Sequence, residues 1–165
     1  VLGIEATTPL LEPATVQEPA PALPAPSEGQ DLVSDYRSLG LTLGRHPLAL
    51  LRPRLQQLGY RPASHLATTG HRRIARAAGL VTNRQRPGAA GGVVFLTLED
   101  ESGTVNVIVW KDLAERQRHL VIGARLLAVV GIWERRDRVR HLVAGRFEDH
   151  SHLLGELPTR SRDFH

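Results

Sequence analysis

The stretch Val93 to Trp110 reads VVFLTLEDESGTVNVIVW, two β-rich runs joined by an acidic, glycine-containing turn. Side chains along a strand alternate between its faces, so Val94, Leu96 and Leu98 share one side while Phe95 and Thr97 share the other. In the second run Val105, Val107 and Val109 likewise oppose Asn106 and Ile108. With the valine and leucine sets turned to a core, the opposite face of this hairpin carries an aromatic ring and an amide.

The period of two extends to either side of the hairpin. RRIARAAGLVTNRQ, from Arg72, predicts a first strand, and RPGAAGG a flexible loop leading into the second. After Trp110, KDLAERQRHL has helical character. ARLLAVVGIWE and RVRHLVAGRFED then make strands four and five, turning at Arg135 to Asp137. Five strands with one short helix between the third and fourth is the order of an oligonucleotide-binding (OB) fold, a mainly β, five-stranded Greek-key barrel. The interior expected from this pattern is Ile74, Val94, Leu96, Leu98, Val105, Val107, Val109, Leu126, Ala128, Val130, Leu142 and Phe147.

The flanks divide by composition. Residues 1–30 include EATTPLLEPATVQEPAPALPAPSEGQ, which holds six of the eleven prolines and has little to bury, so it reads as a disordered Pro/Ala-rich linker. Residues 31–60 form a helical segment leading into the barrel. There DLVSDYRSLG stops at Gly40, and Pro47 opens a second helix with Leu48, Leu51, Leu55 and Leu58 on one face. Pro53 would kink or restart that helix, and Gly59 closes it. The barrel is expected over 61–150, followed by a C-terminal tail over 151–165, SHLLGELPTRSRDFH, only partially ordered at most.

Composition narrows the function. The absence of cysteine excludes disulfides and thiolate metal sites and fits a reducing compartment, so a cytoplasmic location is expected. No apolar run approaches the roughly 20 residues that span a bilayer, so no membrane role is expected. There is no methionine, and the chain reads as a piece of something longer. Its net charge of +4 is uneven: the first 30 residues contain four glutamates and no basic residue, which leaves about +8 on the remainder. That charge is almost all arginine, Lys111 being the only lysine. Planar guanidinium groups suit phosphates and stack on bases, while a GC-rich genome would give the same bias.

No catalytic constellation is present. Glu99, Asp100 and Glu101 sit at a hairpin tip, where carboxylates serve turns, and His150-x-His152 lacks further ligands; no metal or other cofactor is expected in this segment. A binding face remains. Phe95 would stack a base, with Thr97 beside it, Asn106 would read a base edge, and Arg84 and Arg86 would hold phosphates from the end of strand one. Arg135, Arg136, Arg138 and Arg140 form a second cluster between strands four and five, on a loop that in OB-folds commonly closes over nucleic acid.

These residues also carry a family resemblance. LGLTLGRHPL (Leu39 to Leu48), then AAGLVTNRQRPGAAGGVVFLTLEDESGTVNVIVWKDLAERQR, ARLLAVVGI and a final LPTRSRDFH resemble the C-terminal end of bacterial C-family DNA polymerases. The likeness is to the error-prone, damage-inducible ImuC-type branch, and it covers Asp31 to His165. FLTLEDESG is shared more widely, with anticodon-binding OB domains of class II aminoacyl-tRNA synthetases, where the ring matching Phe95 stacks on a base. The resemblance implies a parent DNA-directed DNA polymerase, a nucleotidyltransferase used in translesion synthesis after DNA damage, whose magnesium-binding catalytic aspartates lie outside this segment. It implies single-stranded DNA template as partner, with a Y-family-like accessory protein and the sliding clamp. Two alternatives stand beside template binding: a docking module for the accessory protein, and a tRNA anticodon-binding domain, which the absence of any synthetase motif disfavours.

Overall fold

A computed structural model describes residues 44–157. The Pro/Ala-rich segment, the helix expected over Asp31 to Gly40 and residues 158–165 lie outside the described residues.

Helix α1 (Pro47–Gln57) begins as its sequence predicts, with proline at the first position and the His46 ring accepting a hydrogen bond from the Leu48 amide at 3.1 Å. It runs through Pro53 without a break. At its end Gly59 takes φ 87°, its N–H bonds Gln56 O at 2.9 Å, and the Tyr60 N–H bonds Leu55 O at 2.9 Å. That pair of bonds satisfies carbonyls the helix would otherwise leave open, and the positive φ is why glycine stands there.

A single turn, α2 (Ala63–Leu66), leads to strands β1 (Arg73–Gln85), β2 (Val94–Asp100) and β3 (Gly103–Val109). Two short helices, α3 (Lys111–Arg116) and α4 (Arg118–Gly123), precede β4 (Leu126–Arg136) and β5 (Val139–Asp149). The helical segment expected between strands three and four is thus divided at Gln117, whose side chain bonds both the N–H and the carbonyl of Phe147 on β5. A last turn, α5 (His152–Gly155), follows the barrel.

The strands close in the order β1-β2-β3-β5-β4. All pairs are antiparallel except β3 with β5, where Val107↔Leu142 and Ile108↔Val143 complete the circle. The β2–β3 hairpin pairs Val94↔Val109 through Asp100↔Gly103, which puts the alternating sets read from the sequence on common faces. Asp100 fastens its tip: one carboxylate oxygen accepts from the Ser102 and Gly103 amides, the other from the Ala63 amide at 2.7 Å and the Arg52 guanidinium at 3.2 Å. Turn chemistry, as expected, is the role of that carboxylate.

The described residues form two buried clusters. Inside the barrel lie Val94, Leu96, Leu98, Val105, Val107, Val109, Leu142 and Phe147, as expected, with Leu127, Val129 and Trp133 from β4. Outside it, Leu48, Leu51 and Leu55 of α1 pack with Tyr60, Leu80, Leu126, Ala128, Leu153, Leu154 and Leu157. Three expected interior residues, Leu126, Ala128 and Val130, therefore face this outer cluster instead. The reason is that β4 is buried on both faces, so its run LLAVV has no alternation from which to read a phase. Ile74, also expected inside, is 74% exposed; the inner positions of β1 go to the small Ala75 and Ala77. The start of the expected tail, through Leu157, covers the outer cluster.

Candidate nucleic-acid interface

The outer face of the hairpin consists of cross-strand pairs, Phe95 opposite Ile108 and Thr97 opposite Asn106. Leu96 and Leu98 are 2% exposed whereas Phe95 is 39% exposed, so the ring points away from the core. Helix α1, which could have buried it, lies over β1 and β4 instead. A groove of about 530 Å³ runs over this face, lined by Gln85, Phe95, Thr97, Asn106, Ile108 and Arg140 among others. A second depression of about 480 Å³ shares Asn106, Val139 and Arg140 and adds Thr104, Arg138 and Ala63. Four of the expected site residues, Phe95, Thr97, Asn106 and Arg140, therefore meet in one groove, and Arg138 extends it.

Arg84 does not belong to that groove. Its guanidinium bonds the backbone carbonyls of Val121, at 2.8 Å, and of Ala124, fastening the end of α4 to β1. Burial lowers the pKa of this guanidinium from its ordinary value. The cause of its inward turn is a β-bulge: the β1–β2 register shifts between Val81 and Asn83, leaving Thr82 without a register partner. One extra residue reverses the alternation, so Arg84 now opposes the inward Leu96 while Asn83 and Gln85 oppose Thr97 and Phe95. Arg86, two residues on, is exposed and lines a separate depression of about 320 Å³ with Arg118 and Glu115.

The β4–β5 hairpin pairs Arg135 with Arg140 and Arg136 with Val139, so the turn is Asp137–Arg138, one residue later than expected, with Asp137 at φ 52°. Arg135, Arg136, Arg138 and Arg140 are all exposed. Placing two arginines directly opposite each other costs stability in an isolated sheet, a cost that an anion across the pair would offset. Nearby, Glu134 receives His141 at 3.0 Å and Arg72 at 3.3 Å, and the His141 hydrogen bond is the leading cause holding its carboxyl below the ordinary range.

A family model described as an OB-fold nucleic acid binding domain matches residues 75–149. The barrel is an OB-fold. In sequence the whole chain is similar to a segment of error-prone DNA polymerases. It is 63% identical over 165 residues to that of Alkalilimnicola ehrlichii, covering 100% of this chain and 16% of the relative. It is 56% identical over 165 residues to that of Pseudomonas fluorescens, covering 99% of this chain and again 16% of the relative. The chain thus spans about 16% of the length of these curated relatives. Among solved structures, asparaginyl-tRNA synthetase from Pyrococcus horikoshii shares 24% identity over 47% of this chain and 20% of its own, with a TM-score of 0.41.

Sequence reasoning missed Asn83, Gln85 and His141, all of which line the OB-fold groove. The first two carry a weak signal, polar residues at the end of an apolar strand, but only the bulge assigns them a face. Among the described residues no group of three or more His, Asp or Glu side chains could hold a metal ion, and no helix is long and apolar enough to cross a membrane.

Proposed function

We propose that this OB-fold holds single-stranded DNA template for a C-family error-prone DNA polymerase acting in damage-induced translesion synthesis. The observation that carries this reading is Phe95, 39% exposed on the outer hairpin face with Thr97 and Asn106 beside it and Arg140 in the same groove. A base stacked on the ring contributes about 1–3 kcal/mol, the Asn106 amide can bond a base edge, and the arginines of the β4–β5 hairpin can bind phosphates. Support comes from the names of the relatives and from the nucleic-acid-binding description of the matched family. Nucleotidyl transfer and its magnesium belong, on this reading, to the polymerase body, with a Y-family-like accessory protein and the sliding clamp as its partners.

Anisotropy of a labelled oligo(dT) at two salt concentrations tests it. Four phosphate contacts give a log–log slope of roughly −3, a loss of about fifty-fold between 50 and 200 mM salt. Phe95→Ala should weaken binding roughly 5- to 150-fold with no change in melting temperature. No binding at low salt would reject the proposal.

A second reading, protein docking, is favoured by an apolar belt. Cross-strand pairing links Phe95 to Ile108, Ile108 to Val143, Val143 to Ile132 and Ile132 to Ile74 around the outside of the barrel. On this reading Ile74→Asp abolishes capture of the accessory protein in a pull-down while oligonucleotide binding survives. Undiminished capture would exclude the belt as the docking surface.

A further inference from the structure

Trp110 is 58% exposed, an unusual position for a side chain that is highly buried on average. The fold makes no demand for a ring there. Trp110 precedes α3, and its backbone carbonyl accepts the Ala114 N–H at 2.9 Å, a role any residue fills. What fixes the direction of the indole is the strand before it. Trp110 keeps extended dihedrals, φ −64° and ψ 151°, so the alternation of β3 runs one residue past Val109. Trp110 is therefore in phase with Ile108 and Asn106 and out of phase with the buried Val107 and Val109.

Because Val94 pairs with Val109 and Phe95 with Ile108, Trp110 stands diagonal to Phe95 on the outer face of the hairpin. Diagonal neighbours in an antiparallel pair are about 7–8 Å apart. That is roughly twice the 3.4 Å rise per nucleotide of a stacked strand. Two adjacent bases can occupy both rings only if the backbone between them is stretched, which a single strand permits without the unpairing and unstacking that a duplex would require. Positive charge flanks the position: Lys111, the only lysine of the chain, follows in sequence, and its stem packs over Gly92.

We propose that Trp110 is a second base-stacking platform, receiving the nucleobase next to the one stacked on Phe95. The inference rests on the single-strand reading above and adds to it a path, from Trp110 over Phe95 and Asn106 to Arg140 and Arg138. It also makes the site selective for extended single strands.

The chain contains two tryptophans, and the other, Trp133, is 3% exposed inside the barrel. Emission of the 165-residue protein titrated with oligo(dT) therefore reports on Trp110, while anisotropy of the labelled oligonucleotide reports binding independently. The expected result is quenching that saturates with the binding isotherm. Trp110→Ala should lose the quenching and bind roughly 5- to 150-fold more weakly, and Trp110→Phe should recover most of the affinity, both with unchanged melting temperature. Binding without any change in emission would overturn the proposal. So would a Trp110→Ala protein of wild-type affinity, or a Trp110→Phe protein as weak as the alanine variant. A wild-type protein that does not bind at all would overturn the single-strand reading, and this inference with it.

Discussion

Arg84 on β1 and Arg140 on β5 are the same residue type on one barrel, yet one is tied to backbone carbonyls and the other is exposed in the groove. Arg84 commits its donors to the Val121 and Ala124 carbonyls, and hydrogen bonds from a charged group contribute about 1.5–3 kcal/mol. Arg84→Met should therefore lower stability by about 2 kcal/mol in urea denaturation while leaving the salt slope of oligonucleotide binding unchanged. Arg140→Ala should do the reverse, leaving the unfolding midpoint no lower, since it relieves the repulsion from Arg135, and reducing the salt slope by about 0.7, the value for one phosphate on a single strand. The pair of variants separates charge that holds the fold from charge that meets a ligand.

At the scale of elements, the hairpin that presents Phe95 is held by its tip. Arg52 of α1 pairs with Asp100 at 3.2 Å and with Glu101, and Arg52 and Asp100 are both buried. Removing one partner of such a cluster leaves the other charge uncompensated, so Arg52→Ala should cost about 3 kcal/mol or more in a denaturant titration. Burial alone would raise the Glu101 carboxyl, but the Arg52 hydrogen bond and charge, together with His46, hold it below its ordinary value of 4.5. A folded pKa below the unfolded one means stability that is complete above the unfolded value and lost as pH falls through the folded one. Melting temperature should accordingly drop below about pH 4.5, and Glu101→Gln should flatten that acid limb. Between β4 and β5 the backbones approach so closely that a Cβ at Gly131 would lie 2.0 Å from the Val143 carbonyl oxygen. Gly131→Ala must force these paired strands apart, and thermal denaturation followed by circular dichroism should show a loss of stability of about 3 kcal/mol, the upper end of the overpacking range.

The described residues form a barrel with a second apolar layer on its β1–β4 side, built from segments on either side of it in sequence, α1 before and α5 after. Leu153 is 1% exposed in that layer although it lies beyond the last strand. Leu153→Ala should cost about 2–5 kcal/mol, read by denaturation followed through the buried Trp133. Loss of barrel fluorescence and of helical signal in one transition is the expected form, because the outer layer shares β1 and β4 with the interior. Among the described residues this layer leaves the outer β2–β3 face, with Phe95, uncovered.

The succession of five strands, the alternation of the β2–β3 hairpin, the end of α1 at Gly59 and the outward direction of Phe95 were legible in the sequence. Each depends on local rules: period-two alternation with one polar face, turn residues at the tip, and a glycine where φ must be positive. The phase of β4, the exposure of Ile74, the inward turn of Arg84 and the covering role of Leu153 were decided only by tertiary structure. A strand buried on both faces has no polar side to set its phase, and a bulge shifts alternation by one residue without leaving a mark in composition. Which arginine meets solvent therefore depends on what packs against its strand, a long-range property that residue identity does not contain.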